Sequence, residues 1–114
     1  MSKKSLEVLT ESMFYVLMAL LKEEMCGTEI AGYVEKKSNK RIKIGPGTLY
    51  TILAKFEEEE IIEETSVVGR KRTYRITDKG IGIYIEELER LKLCVLDGES
   101  EAVESEKIIS NKFL

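Results

Sequence analysis

The stretch Gly45-Pro46-Gly47-Thr48-Leu49-Tyr50-Thr51-Ile52-Leu53-Ala54-Lys55-Phe56, running on through the acids Glu57 to Glu60 into Ile61 and Ile62, decides how the rest of the chain is read. Pro46 is the only proline, and it suits the first position of a helix, where its missing N–H would find no partner anyway; Gly45 then serves as N-cap. From this start Leu49, Ile52, Leu53 and Phe56 recur at the spacing of one helical face and are expected in a core. Thr48, Tyr50, Thr51 and Lys55 are left on the opposite face. Hydroxyls, an aromatic ring and a cation over the first turns, with acids confined to the far end, suit a helix whose start meets an anionic partner. Amphipathic helices with Tyr and Thr outside are common in globular domains, so the flanking sequence has to decide.

The charge distribution is informative where the total is not. The formal net charge is -3, which by itself argues against nucleic acid. Yet Lys36, Lys37, Lys40, Arg41, Lys43 and Lys55 follow one another with no acid between them, and Arg70, Lys71, Arg72, Arg75 and Lys79 cluster around a single Asp78. The acids gather in the run from Glu57 to Glu64 and in the C-terminal part, from Glu86 to Glu106. Local basic patches, not the sum, determine where phosphate can dock.

With 114 residues and 43% apolar content the chain fits one compact domain with a modest core, which pairing with a second copy would help. No apolar run reaches the roughly 18 residues of a membrane span, and the N-terminal MSKKSLEVL lacks the apolar core and cleavage site of a signal peptide, so a cytoplasmic protein without membrane contact is expected. Cys26 and Cys94 are too few for a disulfide framework or a zinc site, and with no histidine there is nothing to complete a metal shell or a catalytic dyad. Neither a cofactor nor an enzymatic activity is expected: a glycine-rich phosphate loop and a convergent acid pair beside a nucleophile are both missing. The two thiols read as ordinary buried or half-buried side chains, with redox sensing as the alternative.

In chain order, a first helix is expected from about Thr10 to Glu24, with nine consecutive apolar residues from Met13 to Leu21. A helix apolar all round must be covered all round, by its own chain or by a second subunit on one side. Cys26-Gly27-Thr28 makes a break, and a second helix follows from Glu29 to Lys37, capped by Gly27 or Thr28. Arg41 to Ile44 alternates polar and apolar, a short strand signal before the Pro46 helix. Ile61 to Val68 and Arg72 to Thr77 then change period around a basic, glycine-bearing tip at Gly69 and Arg70, which reads as a hairpin. Thr77 caps a last helix that is expected to reach about Leu96 and close at Asp97-Gly98. Its Ile81, Tyr84, Leu88, Leu91 and Val95 are spaced alternately three and four apart, as in a helix-pairing seam. The tail beyond is expected to dock as a short amphipathic turn or to stay disordered.

Taken in this order, the chain resembles the PadR family of bacterial transcriptional regulators from about Glu11 to Leu96. The resemblance is carried by Cys26-Gly27-Thr28-Glu29-Ile30 entering the second helix, by Gly47-Thr48-Leu49-Tyr50 with Leu53 and Glu57 in the third, and by Gly69 to Thr77 with Gly80 in the hairpin. The family usually has glycine where Glu60 stands, so here the third helix is expected to run on slightly before turning. The short C-terminal part is similar to the compact subgroup with one C-terminal helix. The resemblance implies an α+β, mostly α fold: a winged helix-turn-helix, residues 1–77, that binds DNA, followed by a dimerisation helix and acidic tail, residues 78–114.

It further implies a homodimer that represses transcription from a two-fold symmetric operator on double-stranded DNA. Lys43, Thr48, Tyr50, Thr51, Lys55, Arg70, Lys71 and Arg72 are the expected DNA contacts, and Met13, Phe14, Leu17, Leu21, Ile81, Tyr84, Leu88, Leu91 and Val95 the expected dimer interface. Family members respond to phenolic acids or drugs, which would make Phe14, Tyr15 and Tyr84 a ligand pocket for a small aromatic or lipophilic effector; ordinary packing explains the same residues equally well. A winged-helix protein-interaction module without DNA binding is the competing reading. The operator, the regulated genes and the effector are not written in the sequence.

Overall fold

The computed structural model describes residues 9–113, so the reading of the first eight residues as free of a signal peptide lies outside the described part, as does Leu114. Contacts divide the chain into two units, one through Tyr84 and one from Ile85. The first contains α1 (Glu11–Lys22), β1 (Met25–Cys26), α2 (Gly27–Lys37), α3 (Pro46–Glu58), β2 (Ile62–Val68), β3 (Lys71–Ile76) and the opening turns of α4 (Asp78–Glu104). The three strands form one antiparallel sheet in the order β1-β3-β2. Three helices with a β-hairpin and a small third strand make this a winged helix.

The four apolar positions of α3 behave as their spacing requires. Leu49, Ile52, Leu53 and Phe56 are all buried, and Gly45 and Pro46 occupy the N-cap and first helical positions. They share the core with Val16, Leu17 and Leu20 of α1, Ile30 and Val34 of α2, and Ile61, Ile62 and Tyr74 of the hairpin. α1 is shorter than expected: Thr10 is its N-cap, with its side-chain oxygen accepting the Met13 N–H, and the helix stops at Lys22. Within the chain only part of its apolar surface is covered. Leu21 is exposed and Met13, Tyr15 and Met18 are half-buried.

Two boundaries differ from expectation for reasons outside the local pattern. Met25 and Cys26 are not a simple break but a two-residue strand against Tyr74 and Thr73, and Cys26, not Gly27 or Thr28, is the N-cap of α2. Arg41 to Ile44 forms no strand. α2 ends in a double left-handed turn, with Asn39 at φ 54° and Lys40 at φ 65°, the Asn39 N–H donating to Lys36 O and the Lys40 N–H to Glu35 O. The Ile42 amide is then taken by Oγ of the fully buried Ser38 at 3.0 Å, so a ladder donor that a strand would need is already used.

The third helix does not run on at Glu60. It ends at Glu58, and Glu60 itself adopts the left-handed conformation, φ 61°, that the family's usual glycine would supply. The Glu60 N–H donates to Glu57 O at 3.0 Å and the Ile61 N–H to Phe56 O at 2.8 Å, the paired bonds of a Schellman turn. This turn is gripped by the start of α4. The Thr77 hydroxyl donates to Glu60 O at 2.7 Å, Thr77 N–H donates to Ile61 O at 3.0 Å, and Lys79 Nζ donates to Glu59 O at 2.7 Å. Gly80, whose amide donates to the Thr77 hydroxyl oxygen, lies so close that a Cβ would fall 2.3 Å from Ile61 O.

In the second unit α4 passes through Asp97 and Gly98 without stopping and ends at Glu104, and α5 (Glu106–Phe113) follows after Ser105. The expected closure at Gly98 is therefore corrected, and the tail is helical. Glycine in a helix interior costs only about 1 kcal/mol, and the residues that follow, Glu99 to Glu104, are mostly good helix formers with no proline. This unit leaves large apolar side chains in water: Leu93, Val95, Leu96, Val103, Ile108 and Phe113 are all exposed.

Candidate nucleic-acid interface

The exposed half of α3 and the hairpin form one surface. Tyr50 is 58% exposed and projects from the first turns of α3. Its ring lies along the start of α2: a Cβ built at Gly27 would sit 3.8 Å from the Tyr50 hydroxyl and 3.6 Å from Leu49 Cδ2, ordinary contact distances. A cleft of about 390 Å³ opens between these groups and the wing, lined by Cys26 to Glu29, Tyr50, Arg70, Lys71, Arg72 and Tyr74. A neighbouring cleft of about 330 Å³ is lined by Tyr50, Leu53, Ala54, Glu57, Arg70, Arg72 and Tyr74. Tyr50 of the helix and Arg70 of the wing thus face the same two concavities.

The wing is shaped by its turn and its register. Val68 pairs with Lys71, which leaves Gly69 and Arg70 as a two-residue loop; Gly69 alone is left-handed, φ 62°, as the first residue of a type II′ turn should be. A register shift at Thr65, between Glu64 and Ser66, bends β2. Two of the wing's cations already have partners. Arg72 Nη1 lies 3.4 Å from Glu64, and Arg75 Nε donates to Glu63 at 2.7 Å, an interaction that raises the Arg75 guanidinium above its ordinary value. Among the described residues no acid stands at ion-pair distance from Arg70, Lys71, Lys43 or Lys55.

The remaining expected residues fall as follows. Thr48 and Lys43 are exposed, and Lys55 is half-buried beside the buried Phe56. Thr51 is exposed, but its hydroxyl proton is committed to the Gly47 carbonyl at 3.0 Å, so the group offers lone pairs rather than a donor. Sequence reasoning did not single out Tyr74 or Glu57 as site residues, yet both line the second cleft. The signal available was strand alternation, which places Tyr74 on the same face as Arg72. Burial, and next the nearby Glu57 carboxylate, push the Tyr74 phenol above its ordinary value. Glu29, at the mouth of the first cleft, accepts the Cys26 N–H at 2.9 Å; that bond is the main cause holding its carboxyl below the ordinary range, and Lys71 adds to it.

The aromatic residues suggested as a ligand pocket are packed on one another. Phe14 and Tyr84 stack with centroids 4.9 Å apart and planes 4° from parallel, and Tyr15 meets Phe14 edge-on at 6.3 Å. Burial raises the Tyr84 phenol, with the Tyr33 and Tyr15 phenols adding to the effect, and Arg41 donates to the Tyr15 hydroxyl at 3.4 Å. Among the described residues no helix is long and apolar enough to cross a membrane.

Comparison with known proteins places this geometry among others. The model of the transcriptional regulator PadR-like family matches residues 16–83. An uncharacterised protein of Lysinibacillus sphaericus is 31% identical over 77 residues, which cover 64% of this chain and 70% of that protein. Among solved structures, a transcriptional regulator from Clostridium thermocellum is similar at TM-score 0.65 and 25% identity, covering 90% of this chain and 92% of that one. A PadR-like transcriptional regulator from Bacillus cereus gives 0.65 and 25%, over 77% and 87% of the two chains. Bacillus subtilis PadR, solved in complex with operator DNA, shares the fold at TM-score 0.59 and 24% identity, over 67% of this chain and 45% of that one.

Proposed function

This chain belongs to the PadR-like family of transcriptional regulators, and from that premise we propose that it is a repressor that binds a two-fold symmetric operator as a homodimer, in the cytoplasm. The observation that carries the reading is the shared orientation of Tyr50 and Arg70 toward one pair of clefts, with uncompensated cations on both sides of them. α3 would enter the major groove. There Thr48 and Tyr50 donate to phosphate or base edges, Thr51 offers acceptor lone pairs to base amino groups, and Lys43 and Lys55 neutralise flanking phosphates. The wing would carry Arg70 and Lys71 to the adjoining backbone, while Arg72 exchanges Glu64 for phosphate.

Residues 1–77 would thus bind DNA, and residues 78–114 would pair the two copies. The apolar groove of Leu88, Leu91, Val95 and Leu96 is the part of the second unit best suited to a partner helix, and Met13, Leu21, Ile81 and Tyr84 of the first unit would also meet the second copy; Leu17, fully buried in its own protomer, and Phe14, nearly so, are core residues and not interface. An aromatic or lipophilic effector would bind by parting the Phe14–Tyr84 stack, an interaction that on its own favours the closed arrangement by about 1 kcal/mol.

The test is selection of bound fragments from random duplex DNA at stated salt. Symmetric half-sites about one helical turn apart, and a log–log salt slope of several units, are expected. A monomer in sedimentation, or salt-independent binding, would remove the proposal.

A further inference from the structure

The hairpin tip carries a feature that cation-to-phosphate contacts leave unused. Val67 and Val68 are 54% and 70% exposed, adjacent, and the last residues of β2 before the turn. Consecutive strand residues point to opposite faces, so each face of the tip presents one valine. Each is paired with a cation across the strand, Val67 with Arg72 and Val68 with Lys71. The core ends far below: on β2 only Ile62 is buried. β2 is also an edge strand of the sheet, where exposed apolar side chains invite unwanted pairing, and such edges normally carry charge or proline.

We propose that Val67 and Val68 are DNA-contacting residues, packing their methyl groups against the two deoxyribose walls of a minor groove while the paired cations take the phosphates along its rims. This rests on the DNA-binding reading above and goes beyond it by assigning an apolar part to the wing. The minor groove is about 6 Å wide, lined by sugar C–H groups and bordered by phosphates. A slim tip with one valine and one cation on each face complements both the walls and the rims. Gly69, at positive φ, adds no side chain to the apex, and no other group stands within 4 Å of where its Cβ would be. The contact is with sugars, so it senses groove width rather than base identity.

The experiment measures duplex affinity against salt for the full chain and three variants: Val67→Ser/Val68→Ser, Val67→Thr/Val68→Thr and Arg70→Ala. The threonine pair keeps the branched shape and strand propensity, so loss of the hairpin cannot account for its result. Burying about half of each valine corresponds to an affinity gain of roughly 10- to 100-fold, so the serine pair should lose about 10-fold or more and the threonine pair somewhat less. Both should keep the wild-type salt slope, whereas Arg70→Ala should lower it by about one unit.

Binding by both valine pairs within about twofold of a wild type that shows a steep salt slope overturns this inference and leaves the DNA-binding reading standing. A changed self-association of the valine pairs in sedimentation, with unchanged intrinsic affinity, assigns the tip to a second copy and overturns it as well. A wild type that binds no duplex removes both.

Discussion

Replacing Glu60 by glycine should stabilise the protein. Glu60 is the C′ residue of α3 and sits at φ 61°, in the left-handed region, where a Cβ costs about 1–2 kcal/mol. Glycine would remove that cost but gain backbone freedom in the unfolded chain, which returns about 0.4–1 kcal/mol. Glu60 takes part in the turn's hydrogen bonds only through its backbone, its N–H donating to Glu57 O and its carbonyl accepting from the Thr77 hydroxyl, so none is lost. The net expectation is a gain of about 0.5–1 kcal/mol, seen as a rise in midpoint temperature of about 2 to 6 °C at fixed protein concentration with an unchanged m-value in urea. Charge offers a rival explanation, since Glu57 to Glu60 crowd the negative end of the helix dipole. Glu60→Gln separates the two: it removes the charge and keeps the left-handed Cβ. A gain from glutamine equal to that from glycine, or no gain from glycine, would refute the conformational argument.

Gly80→Ala is expected to cost about 3 kcal/mol or more, measured as a fall in unfolding midpoint beyond 10 °C, because the added carbon would meet Ile61 O at 2.3 Å and Ile76 Cγ1 at 2.7 Å and backbone cannot step aside. Thr51→Val should leave affinity for random-sequence duplex within about twofold of wild type in anisotropy titrations, since the hydroxyl proton is already given to Gly47 O and cannot reach phosphate, while its lone pairs serve only particular base edges. Glu29→Gln tests a pH dependence. The Cys26 amide lowers the folded Glu29 carboxyl from its ordinary 4.5, so the stability it adds is fully present above that value and is lost as pH falls through the lowered folded value. Thermal melts of wild type and Glu29→Gln should therefore differ most above about pH 5 and converge in stronger acid; a constant gap would mean that the charge on Glu29 is irrelevant.

Much of the fold was legible because it depends on local chemistry. Proline at the first turn of α3, glycine at the hairpin tip and the three-and-four spacing of Leu49, Ile52, Leu53 and Phe56 each act within a few residues, and the structure follows them. The basic composition of the wing and connector was equally plain. Less visible was which of those cations remain free. Arg72 and Lys71 are neighbours in sequence, but only Arg72 meets Glu64, because strand register and the shift at Thr65 bring that carboxylate within reach.

The sequence by itself determined where α3 and α4 begin, where the hairpin turns and which side of each element is apolar, since these follow from backbone conformational limits and side-chain periodicity. Only the tertiary structure decided the rest. Met25 and Cys26 become a strand because β3 offers a free edge, and Arg41 to Ile44 does not because Ser38 takes the Ile42 amide. Glu60 tolerates a glycine's conformation because Thr77 and Lys79 bind the carbonyls of that turn and Gly80 lets the start of α4 pack close against it, contacts that bridge some 17 to 20 residues. The face shared by Tyr50, Arg70 and Tyr74 likewise exists only after α3 and the hairpin have packed on a common core. Long-range packing energy, which no short window of sequence contains, selects among conformations that local preference leaves nearly equal.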